Sequence, residues 1–480
     1  MMRPFTTAAQ MRAIPRSTRF ANGGVSFWFR DIGLPQRRPA LDGDSDYDVC
    51  VVGAGYTGLW AAYYLKKEQP DLRIAVIERE FAGFGASGRN GGWLSADFPG
   101  SREGSARSHG KAAMVALQRT MMRTVDEVVS VAEKEGIDAD IVKSGMLLVA
   151  VNTAQEERLR NDVDHLQRWG YWPDDLHMVK AGAEPHIVVR GSVARAYSPH
   201  AARVHPAKLV TGLARTVVAL GVELFEDTAV EEILPGAGTA RPKVITEHGT
   251  VRADHVLRAT EGFTTGLRGP GGAWMPMSSS MIVTEPLSSE QWEQIGWRGQ
   301  EVLGDVAHSS VHAQRTADGR IAIGGRDAPQ RFGAARSEAG ATQPQDIAGL
   351  WRSLTTMFPG IVDVPVEHAW SGPLGVTRDV VPTVQMDRSR GLGWAGGYSG
   401  SGVASGNLAG RTLRDLVLGR STALTRLPWV GHEVSEPPRW LGAQIVRSLY
   451  RTADRRESKS PVGEGHTSRL AGLAARISGR

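Results

Sequence analysis

The chain of 480 residues has a single cysteine and no long apolar run. One thiol cannot form a disulfide or a CxxC redox pair within the chain, and Cys50 lies among apolar residues of a predicted buried strand. No run approaches the roughly 18 to 20 apolar residues that cross a bilayer, and the arginine-dotted first twenty residues contain no apolar signal core. We therefore expect a cytoplasmic protein without a transmembrane segment.

Metal-site, hydrolase and nucleic-acid-binding signals are also missing. The histidines show no HExxH or comparable ligand spacing, and no GxSxG turn marks a nucleophilic serine. The net charge of +5 comes from the two ends, because residues 1–40 and 439–480 each carry +6 and residues 41–438 carry −7. We expect no metal site and no nucleic-acid partner, since the body of the chain has no basic excess.

The first regular pattern is a βαβ unit. Residues 48–52 form a short apolar run, a glycine-rich turn follows, and the helical pattern after it ends at Pro70. A second apolar run covers residues 73–78. Continuous apolar runs are typical of buried parallel strands, so this unit predicts an α/β fold.

The pattern of apolar and polar residues changes several times along the chain, and these changes predict two interleaved domains. A long amphipathic helix pattern begins near residue 105, an α/β rhythm returns at Pro206, and a strand, a glycine turn and a helix recur from residue 393. We assign residues 46–104, 196–272 and 366–422 to a nucleotide-binding domain and residues 105–195 and 273–365 to a substrate domain. Residues 1–45 are predicted to form an arm over the body, and residues 423–480 form a basic extension.

The turn after the first strand has the sequence GxGxxG, and Glu78 follows its last glycine by twenty residues. Glycines permit a tight turn and close approach to a pyrophosphate, the helix N-terminus supplies a positive dipole, and the acid accepts from a ribose hydroxyl. The acid favours the free ribose of NAD or FAD over NADP, although Arg79 beside it leaves that exclusion incomplete. The predicted cofactor residues are Gly53, Ala54, Gly55, Tyr56, Thr57, Gly58, Glu78 and Arg79.

Two further glycine-rich segments follow the same logic. Residues 83–92 contain five glycines, and such a loop can present many backbone N–H groups to a polar ligand or serve as a linker. Residues 396–402 lead into a helix, whose N-terminus would stabilise negative charge on a reduced flavin or be only another helix cap. These segments add Gly85, Ala86, Ser87, Arg89, Asn90, Gly91, Gly92, Gly397, Tyr398, Gly400, Ser401, Gly402 and Val403 to the predicted cofactor residues.

Residues 48–93, and above all the run from Glu78 to Trp93, resemble the FAD-dependent D-amino-acid oxidase superfamily. The likeness is to the branch with glycine oxidase and sarcosine oxidase, and most of all to its gamma-glutamylputrescine oxidase-like members. It continues in order through residues 204–209, 318–326, 370–372 and 397–402.

The resemblance implies an FAD-binding Rossmann domain of the glutathione-reductase type, interleaved with a smaller α+β substrate domain whose mixed sheet covers the flavin. It also implies hydride transfer to flavin N5 from the C–H next to the nitrogen of a small amine or amino acid, hydrolysis of the resulting imine, and oxygen as the acceptor. Positioning should dominate such catalysis. The resemblance adds Val230 and Gly372 to the cofactor residues.

Three departures from the family pattern shape these expectations. Relatives with covalent flavin use a cysteine near the carboxyl end or a histidine in the loop after the second strand, where this chain has Asn90, so we predict non-covalent FAD. The lysine that sarcosine oxidases place over the flavin has no counterpart in residues 276–281. Family members often have histidine where Ser401 stands. A dehydrogenase with another acceptor and a non-catalytic flavin-binding subunit therefore remain alternatives.

Catalytic candidates come from the flavin loop and from a predicted strand of the substrate domain. Tyr398 either lines the pocket or is a core aromatic residue with a satisfied hydroxyl. His308, His312 and Arg315 fall in the segment that forms part of the substrate roof in relatives, where an arginine can clamp a carboxylate or pair at the surface. We predict Tyr398, Arg315 and His308 as catalytic residues. The identity of the substrate and the oligomeric state are not determined by the sequence.

Overall fold

The computed structural model describes residues 14–180, 187–268, 274–329, 340–434, 440–459 and 466–478. The first thirteen residues of the predicted arm therefore lie outside the described residues. The helices are α1 Phe27–Ile32, α2 Tyr56–Glu68, α3 Arg102–His109, α4 Lys111–Lys134, α5 Thr153–Gln167, α6 Pro206–Ala219, α7 Ser289–Ile295, α8 Pro344–Met357, α9 Gly402–Val417, α10 Trp440–Glu457 and α11 Arg469–Ser478. None of these described helices is both long and apolar enough to cross a membrane.

Nineteen strands complete the described structure. They are β1 Arg16–Asn22, β2 Ser45–Val52, β3 Ile74–Ile77, β4 Trp93–Ser95, β5 Met146–Ala150, β6 His177–Met178, β7 Ala194–Ser198, β8 Ala201–Arg203, β9 Glu223–Phe225, β10 Val230–Leu234, β11 Lys243–Thr246, β12 Gly249–Arg258, β13 Met275–Thr284, β14 Val302–Asp305, β15 Val311–Arg315, β16 Ile321–Pro329, β17 Val366–Val376, β18 Thr383–Asp387 and β19 Leu392–Gly396. The predicted βαβ unit is β2, α2 and β3.

An eight-stranded sheet forms the centre of the nucleotide-binding domain. Strands β9, β3, β2, β12 and β19 are parallel neighbours, and β10 and β11 form an antiparallel extension on the first half of β12. Alternation along β2 buries both faces, since Val49 and Val51 pack with the helices while Cys50 and Val52 pack against the antiparallel extension. This layering confirms the expected Rossmann-type α/β architecture.

A mixed nine-stranded sheet forms the second layer, in the order β1, β17, β13, β16, β15, β14, β5, β7, β6. Only the β1–β17 and β14–β5 pairs are parallel. Apolar side chains on one face of the sheet, such as Val311 and Ala313, pack in one core with Trp292 of α7 and with Leu350 and Leu354 of α8. The opposite face is therefore the one turned toward the nucleotide-binding domain.

Several segments differ from the predicted organisation. Strand β17 begins at Val366, in the part predicted to belong to the nucleotide-binding domain, but it hydrogen-bonds along β13 in the substrate sheet. The predicted arm forms β1 at the edge of that sheet and α1, whose Phe27, Trp28 and Phe29 are buried in the core, so this part of the arm is packed into the body rather than laid over it. The predicted long helix near residue 105 is broken at Gly110, which has φ +81° and separates α3 from α4.

Candidate active site

Two cavities meet at the junction of the two sheets. The first lies at the carboxyl ends of β2 and β3, the usual ligand position in open parallel sheets. The second lies between the cavity-facing side of the substrate sheet, β4 and the start of α9. Both are lined by Ala86, Asn90, Leu374, Gly400 and Val403, so the two cavities adjoin, and together they are called the cleft.

The GxGxxG turn is shaped so that only glycine fits at its ends. Gly53 has φ +106°, and a Cβ there would lie 2.7 Å from the carbonyl oxygen of Ala259. A Cβ on Gly58 would lie 2.0 Å from the carbonyl oxygen of Gly53, so α2 can start directly against the turn. The N-terminus of α2 consequently points into the first cavity.

Glu78 follows β3 and lines the first cavity beside this turn. One carboxylate oxygen accepts from the N–H of Ala54 at 2.8 Å and the other from the N–H of Glu80 at 3.0 Å. Burial raises the pKa of Glu78, while these N–H groups act in the opposite direction. The carboxylate is thereby held at the strand end where a ribose hydroxyl can reach it.

The loop of residues 83–92 is ordered by its own side chains. The amide nitrogen of Asn90 donates to the carbonyl oxygens of Ala86 and Ser87, and its amide oxygen accepts from the N–H of Gly92 at 2.8 Å. The hydroxyl of Ser87 accepts from the N–H of Tyr56 at 2.9 Å. The loop is therefore a fixed structure joined to the N-terminus of α2.

Side chains from distant segments brace this loop from behind. Ser26 donates to the carbonyl oxygen of Gly88 at 2.7 Å, and the indole of Trp28 donates to that of Asn90 at 2.8 Å. The indole of Trp370 in β17 donates to the carbonyl oxygen of Arg89 at 2.8 Å. Three tryptophan or serine donors thus hold the loop, which is how a rigid ligand cradle is built.

Glu261, which the sequence analysis did not single out, clamps the third glycine segment. Its carboxylate accepts from the N–H of Tyr398 at 3.0 Å and of Gly375 at 2.6 Å, and the N–H groups of Gly262 and Gly397 also donate to it. Burial raises its pKa to about 7 against the effect of these donors. Its φ of +43° is rare for glutamate, so the position is held by its surroundings.

Most of the predicted cofactor residues border the cleft. Those lining the first cavity are Gly53, Gly55, Tyr56, Thr57, Glu78, Arg79, Gly85, Ala86, Ser87, Asn90, Val230, Tyr398, Gly400, Gly402 and Val403. Arg89, Gly91, Gly372 and Ser401 line the second cavity. Ala54, Gly58, Gly92 and Gly397 are not among the lining residues, and the close contacts of the three glycines show that they shape the loops behind the surface.

Two of the predicted catalytic residues do not reach the cleft. Arg315 donates to the carbonyl oxygen of Trp297 at 2.7 Å and lies over the ring of Trp292, because it shares the core-facing side of β15 with Val311 and Ala313. Its neighbour His312 points the other way and lines the second cavity.

His308 lies on the loop after β14. Its Nε2 is 2.9 Å from a carboxylate oxygen of Glu457, and its ring stacks on Tyr450 of α10. The predicted basic extension therefore packs against the substrate domain, and Tyr450 and Glu457 of its helix α10 contact this histidine. The side chain of His308 is turned toward α10 and is not among the residues that line either cavity, so the structure gives no support to its predicted catalytic role.

Tyr398 borders the first cavity and is absent from the lining of the second. Its hydroxyl is hydrogen-bonded to that of Thr57 at 2.8 Å, and burial raises its pKa. It is thus a buried aromatic residue with a satisfied hydroxyl, on the nucleotide side of the cleft. The structure gives it no contact with the second cavity.

The residues present fit an FAD molecule. The cleft offers a glycine turn with no room for a Cβ, a helix N-terminus for a pyrophosphate, and an acid for a ribose. The second helix N-terminus, that of α9, lies at the junction of the two cavities, where a flavin ring would extend from the nucleotide.

Comparison with known proteins decides the family. The family model described as FAD dependent oxidoreductase matches residues 48–416. The chain belongs to this family. A probable oxidoreductase OrdL of Rhizobium meliloti (strain 1021) is 30% identical, with 83% of this chain and 90% of that protein covered. The gamma-glutamylputrescine oxidoreductase of Escherichia coli (strain K12) is 30% identical, with 79% and 86% covered.

Solved structures share the fold at lower identity. Glycine oxidase from Geobacillus kaustophilus aligns with a TM-score of 0.66 at 21% identity, covering 81% of this chain and 99% of that one. L-proline dehydrogenase from P. horikoshii aligns with a TM-score of 0.63 at 17% identity, covering 81% and 98%. Membership of the family confirms FAD as the cofactor and the chain as an FAD-dependent oxidoreductase.

Proposed function

We propose that this oxidoreductase holds FAD non-covalently and oxidises the C–N bond of a small amine or amino acid, with oxygen as the electron acceptor. The observation that carries the proposal is that the nucleotide cavity adjoins a second cavity under the substrate sheet and shares five lining residues with it. The relationship to gamma-glutamylputrescine oxidoreductase, at 30% identity over most of both chains, supports a nitrogen-containing substrate.

The chain's own residues supply position and electrostatics. The chemistry that bound FAD would supply is acceptance of a hydride from the C–H next to the substrate nitrogen, after which water would hydrolyse the resulting imine to a carbonyl compound and an amine or ammonia. The N-terminus of α9, which lies at the junction of the two cavities, would stabilise negative charge on a reduced flavin ring. Met146, Leu148 and Met281 give the second cavity an apolar lining that limits water around the reacting C–H.

The proposal of non-covalent FAD rests on the two residues Cys50 and Asn90. Cys50 is fully buried within β2, and burial raises its pKa to about 12, so its thiol is neither accessible nor ionised. Asn90 uses its side chain to cap the loop. Denaturation of the holoenzyme in acid should release all of its FAD into the filtrate, and flavin that stays with the precipitated protein would contradict this assignment.

An anaerobic reduction experiment tests the function. Purified protein is expected to carry the yellow flavin spectrum and to lose it when mixed without oxygen with one member of a panel of amines, N-methyl amino acids and D-amino acids. Colour that returns at once on admission of air identifies an oxidase. Protein that binds FAD but is bleached by no member of the panel would overturn the proposal.

A dehydrogenase of the same fold is the second candidate, and one observation favours it. None of the described residues that line the second cavity is a lysine, the residue type that sarcosine oxidases place over the flavin. Slow return of the colour in air, with fast return on addition of an artificial quinone acceptor, would identify this candidate in the same experiment.

A further inference from the structure

The loop that joins β14 to β15 borders the second cavity. It covers residues 306–310, and its last residue, Ser310, lines the cavity together with Val311 at the start of β15. A change in the shape of this loop moves part of the cavity wall. The contacts that hold the loop therefore bear on what the cavity can bind.

Asp305, the last residue of β14, fixes the two ends of this loop. One of its oxygens accepts from the N–H of Val311 at 2.9 Å, and Ala307 supplies a second backbone donor. Burial raises the pKa of this carboxyl to about 7, and the nearby carboxylate of Asp454 adds to the shift. The ends of the loop are thus held by a residue of the adjoining strand.

A carboxylate of α10 fixes the middle of the loop. One oxygen of Asp454 accepts from the N–H of His308 at 2.8 Å, and the other accepts from the N–H of Ser309 at 2.9 Å. Hydrogen bonds to an ionised acceptor are roughly twice as strong as those between neutral groups. The conformation of the loop therefore depends on a helix that lies far from it in sequence.

Further side chains bind the same helix to the same loop. Glu457 of α10 is 2% exposed, lies 2.9 Å from Nε2 of His308, and accepts from Nη2 of Arg158 in α5 at 2.6 Å. The guanidinium of Arg158 also donates to the carbonyl oxygen of Val306 in the loop. The ring of Tyr450 stacks on that of His308. Both the backbone and the histidine of the loop are thus held by α10.

The acidic residues of α10 are placed for this contact and not for the helix itself. Asp454 and Glu457 lie in its last turn, where negative charge opposes the helix macrodipole. Arg455 and Arg456 of the same turn are exposed, whereas the two acids face the body of the protein. The helix begins at Trp440, beyond the residues 48–416 that the family model matches, while the loop lies within them.

We propose that α10 acts as a clamp on the β14–β15 loop, and that Asp454 and Glu457 are positioning residues for binding in the second cavity. The inference rests on the proposed function in one respect, that the substrate occupies this cavity. The clamp sets the place of the wall that Ser310 and Val311 form. The C-terminal extension thereby acts on ligand binding without contacting the ligand.

Hydrogen exchange of the holoenzyme tests the clamp directly. Asp454→Ala removes both acceptors and replaces a poor helix former by the best one, so α10 itself should persist. The amides of His308 and Ser309 should exchange about tenfold faster or more, with the turn between β2 and α2 unchanged. The matched control is Arg455→Ala, an exposed position in the same turn, which should alter neither. Unchanged exchange of the loop in Asp454→Ala would overturn the inference.

Sulfite probes the cavity without a substrate. It adds to N5 of an oxidised flavin and removes the yellow colour, so its rate of addition reports access to the ring. A wall that opens more often admits the ion more often, and Asp454→Ala should raise this rate about threefold or more, with Arg455→Ala unchanged. An unchanged sulfite rate in a variant whose loop exchanges faster would make α10 a packing element only and would overturn the positioning role.

A substrate found by anaerobic bleaching gives an independent reading. Asp454→Ala should raise the concentration needed for half-maximal bleaching about tenfold and change the limiting rate by at most about twofold, because it alters binding and touches no reacting atom. A reduced limiting rate with an unchanged half-maximal concentration would contradict the assignment. If no compound bleaches the flavin, the proposed function fails, while hydrogen exchange and sulfite addition still decide whether the clamp exists.

A second variant keeps the test open if Asp454→Ala does not fold. Asp454→Asn has nearly the same shape and keeps one oxygen, so it can accept from only one of the two N–H groups and turns its NH2 group toward the other. One of the amides of His308 and Ser309 should then exchange about threefold faster or more. Exchange equal to that of the wild type at both amides would overturn the inference.

Discussion

The predicted arm should act on FAD affinity through one hydrogen bond, that from the Trp28 indole to the carbonyl oxygen of Asn90. Trp28 is 1% exposed, and the bond is 2.8 Å long. Trp28→Phe keeps a large aromatic ring and removes the donor. A net hydrogen bond contributes about 1 kcal/mol, and a carbonyl left unsatisfied in a partly buried loop costs about 1 to 3 kcal/mol.

Trp429 provides a matched control for the loss of volume. It is 0% exposed, and its indole nitrogen has no hydrogen-bond partner among the described residues. Trp429→Phe therefore creates a similar cavity without breaking a hydrogen bond. We expect Trp28→Phe to lower the free energy of unfolding by about 1 to 2 kcal/mol more than Trp429→Phe does.

The same comparison extends to the cofactor. Because Asn90 lies in the loop that lines both cavities, loss of its brace should raise the Kd for FAD about tenfold in Trp28→Phe and leave it unchanged in Trp429→Phe. Urea unfolding of the two apoproteins and fluorescence titration with FAD measure the two effects. Equal values for the two variants in both assays would refute the idea that the arm holds the flavin loop.

Three further predictions concern the site and its charges. Asp305 has a folded pKa of about 7 against 3.8 unfolded, so its contribution to stability is present below about pH 4 and is lost as the pH rises through 7. The difference between these two pKa values corresponds to at most about 4 kcal/mol, and water in the cavity reduces that figure. We therefore expect the free energy of unfolding of Asp305→Asn in urea to exceed that of the wild type by about 1 to 3 kcal/mol at pH 8 but not at pH 4. Equal unfolding curves at both pH values would exclude a buried charge. Glu78→Ala should weaken FAD binding about tenfold or more in a fluorescence titration, since it removes the ribose acceptor, and an unchanged Kd would show that another group holds the ribose. Gly53→Ala should abolish FAD binding and cost more than about 2 kcal/mol in unfolding, because its Cβ would meet Ala259, whereas Gly110→Ala, with positive φ but open space, should cost only about 1 kcal/mol and bind FAD normally.

The nucleotide-binding part of the fold was predictable because its signals are local. The residues of β2, α2 and β3 are continuous in sequence. The turn between β2 and α2 can be recognised from Gly53 and Gly58, because neither position tolerates a Cβ. Glu78 is fixed at the cavity by the length of one strand. The positions of these residues therefore follow from short-range geometry and can be predicted from the sequence.

The substrate side depends on register, and there two of the predicted catalytic residues lie away from the cleft. The segment that contains β15 was identified, but Arg315, which was predicted to be catalytic, contacts Trp297 and Trp292 on the core-facing side of that strand. Its sequence carried the needed signal, because Val311 and Ala313 are apolar and alternate with His312, which assigns Arg315 to the core-facing side.

The arm illustrates a second limit. Residues 1–45 were predicted only as an arm over the body, because the partner of the apolar triplet at residues 27–29 cannot be derived from local pattern. The structure pairs it with the flavin loop 62 residues away, through Ser26 and Trp28. The same loop is held from the other side by Trp370, which is 281 residues from Arg89 in sequence.

The loop of residues 83–92 is therefore encoded locally and positioned by distant segments. Its glycines allow the backbone to present N–H groups, yet its place depends on α1 at one end of the chain and β17 near the other. A loop that is held only when these contacts form ties FAD binding to the folding of both domains, because a ligand that binds only the native state stabilises every contact that state requires. Changes in the arm should consequently alter cofactor affinity, although no residue of α1 lines the first cavity.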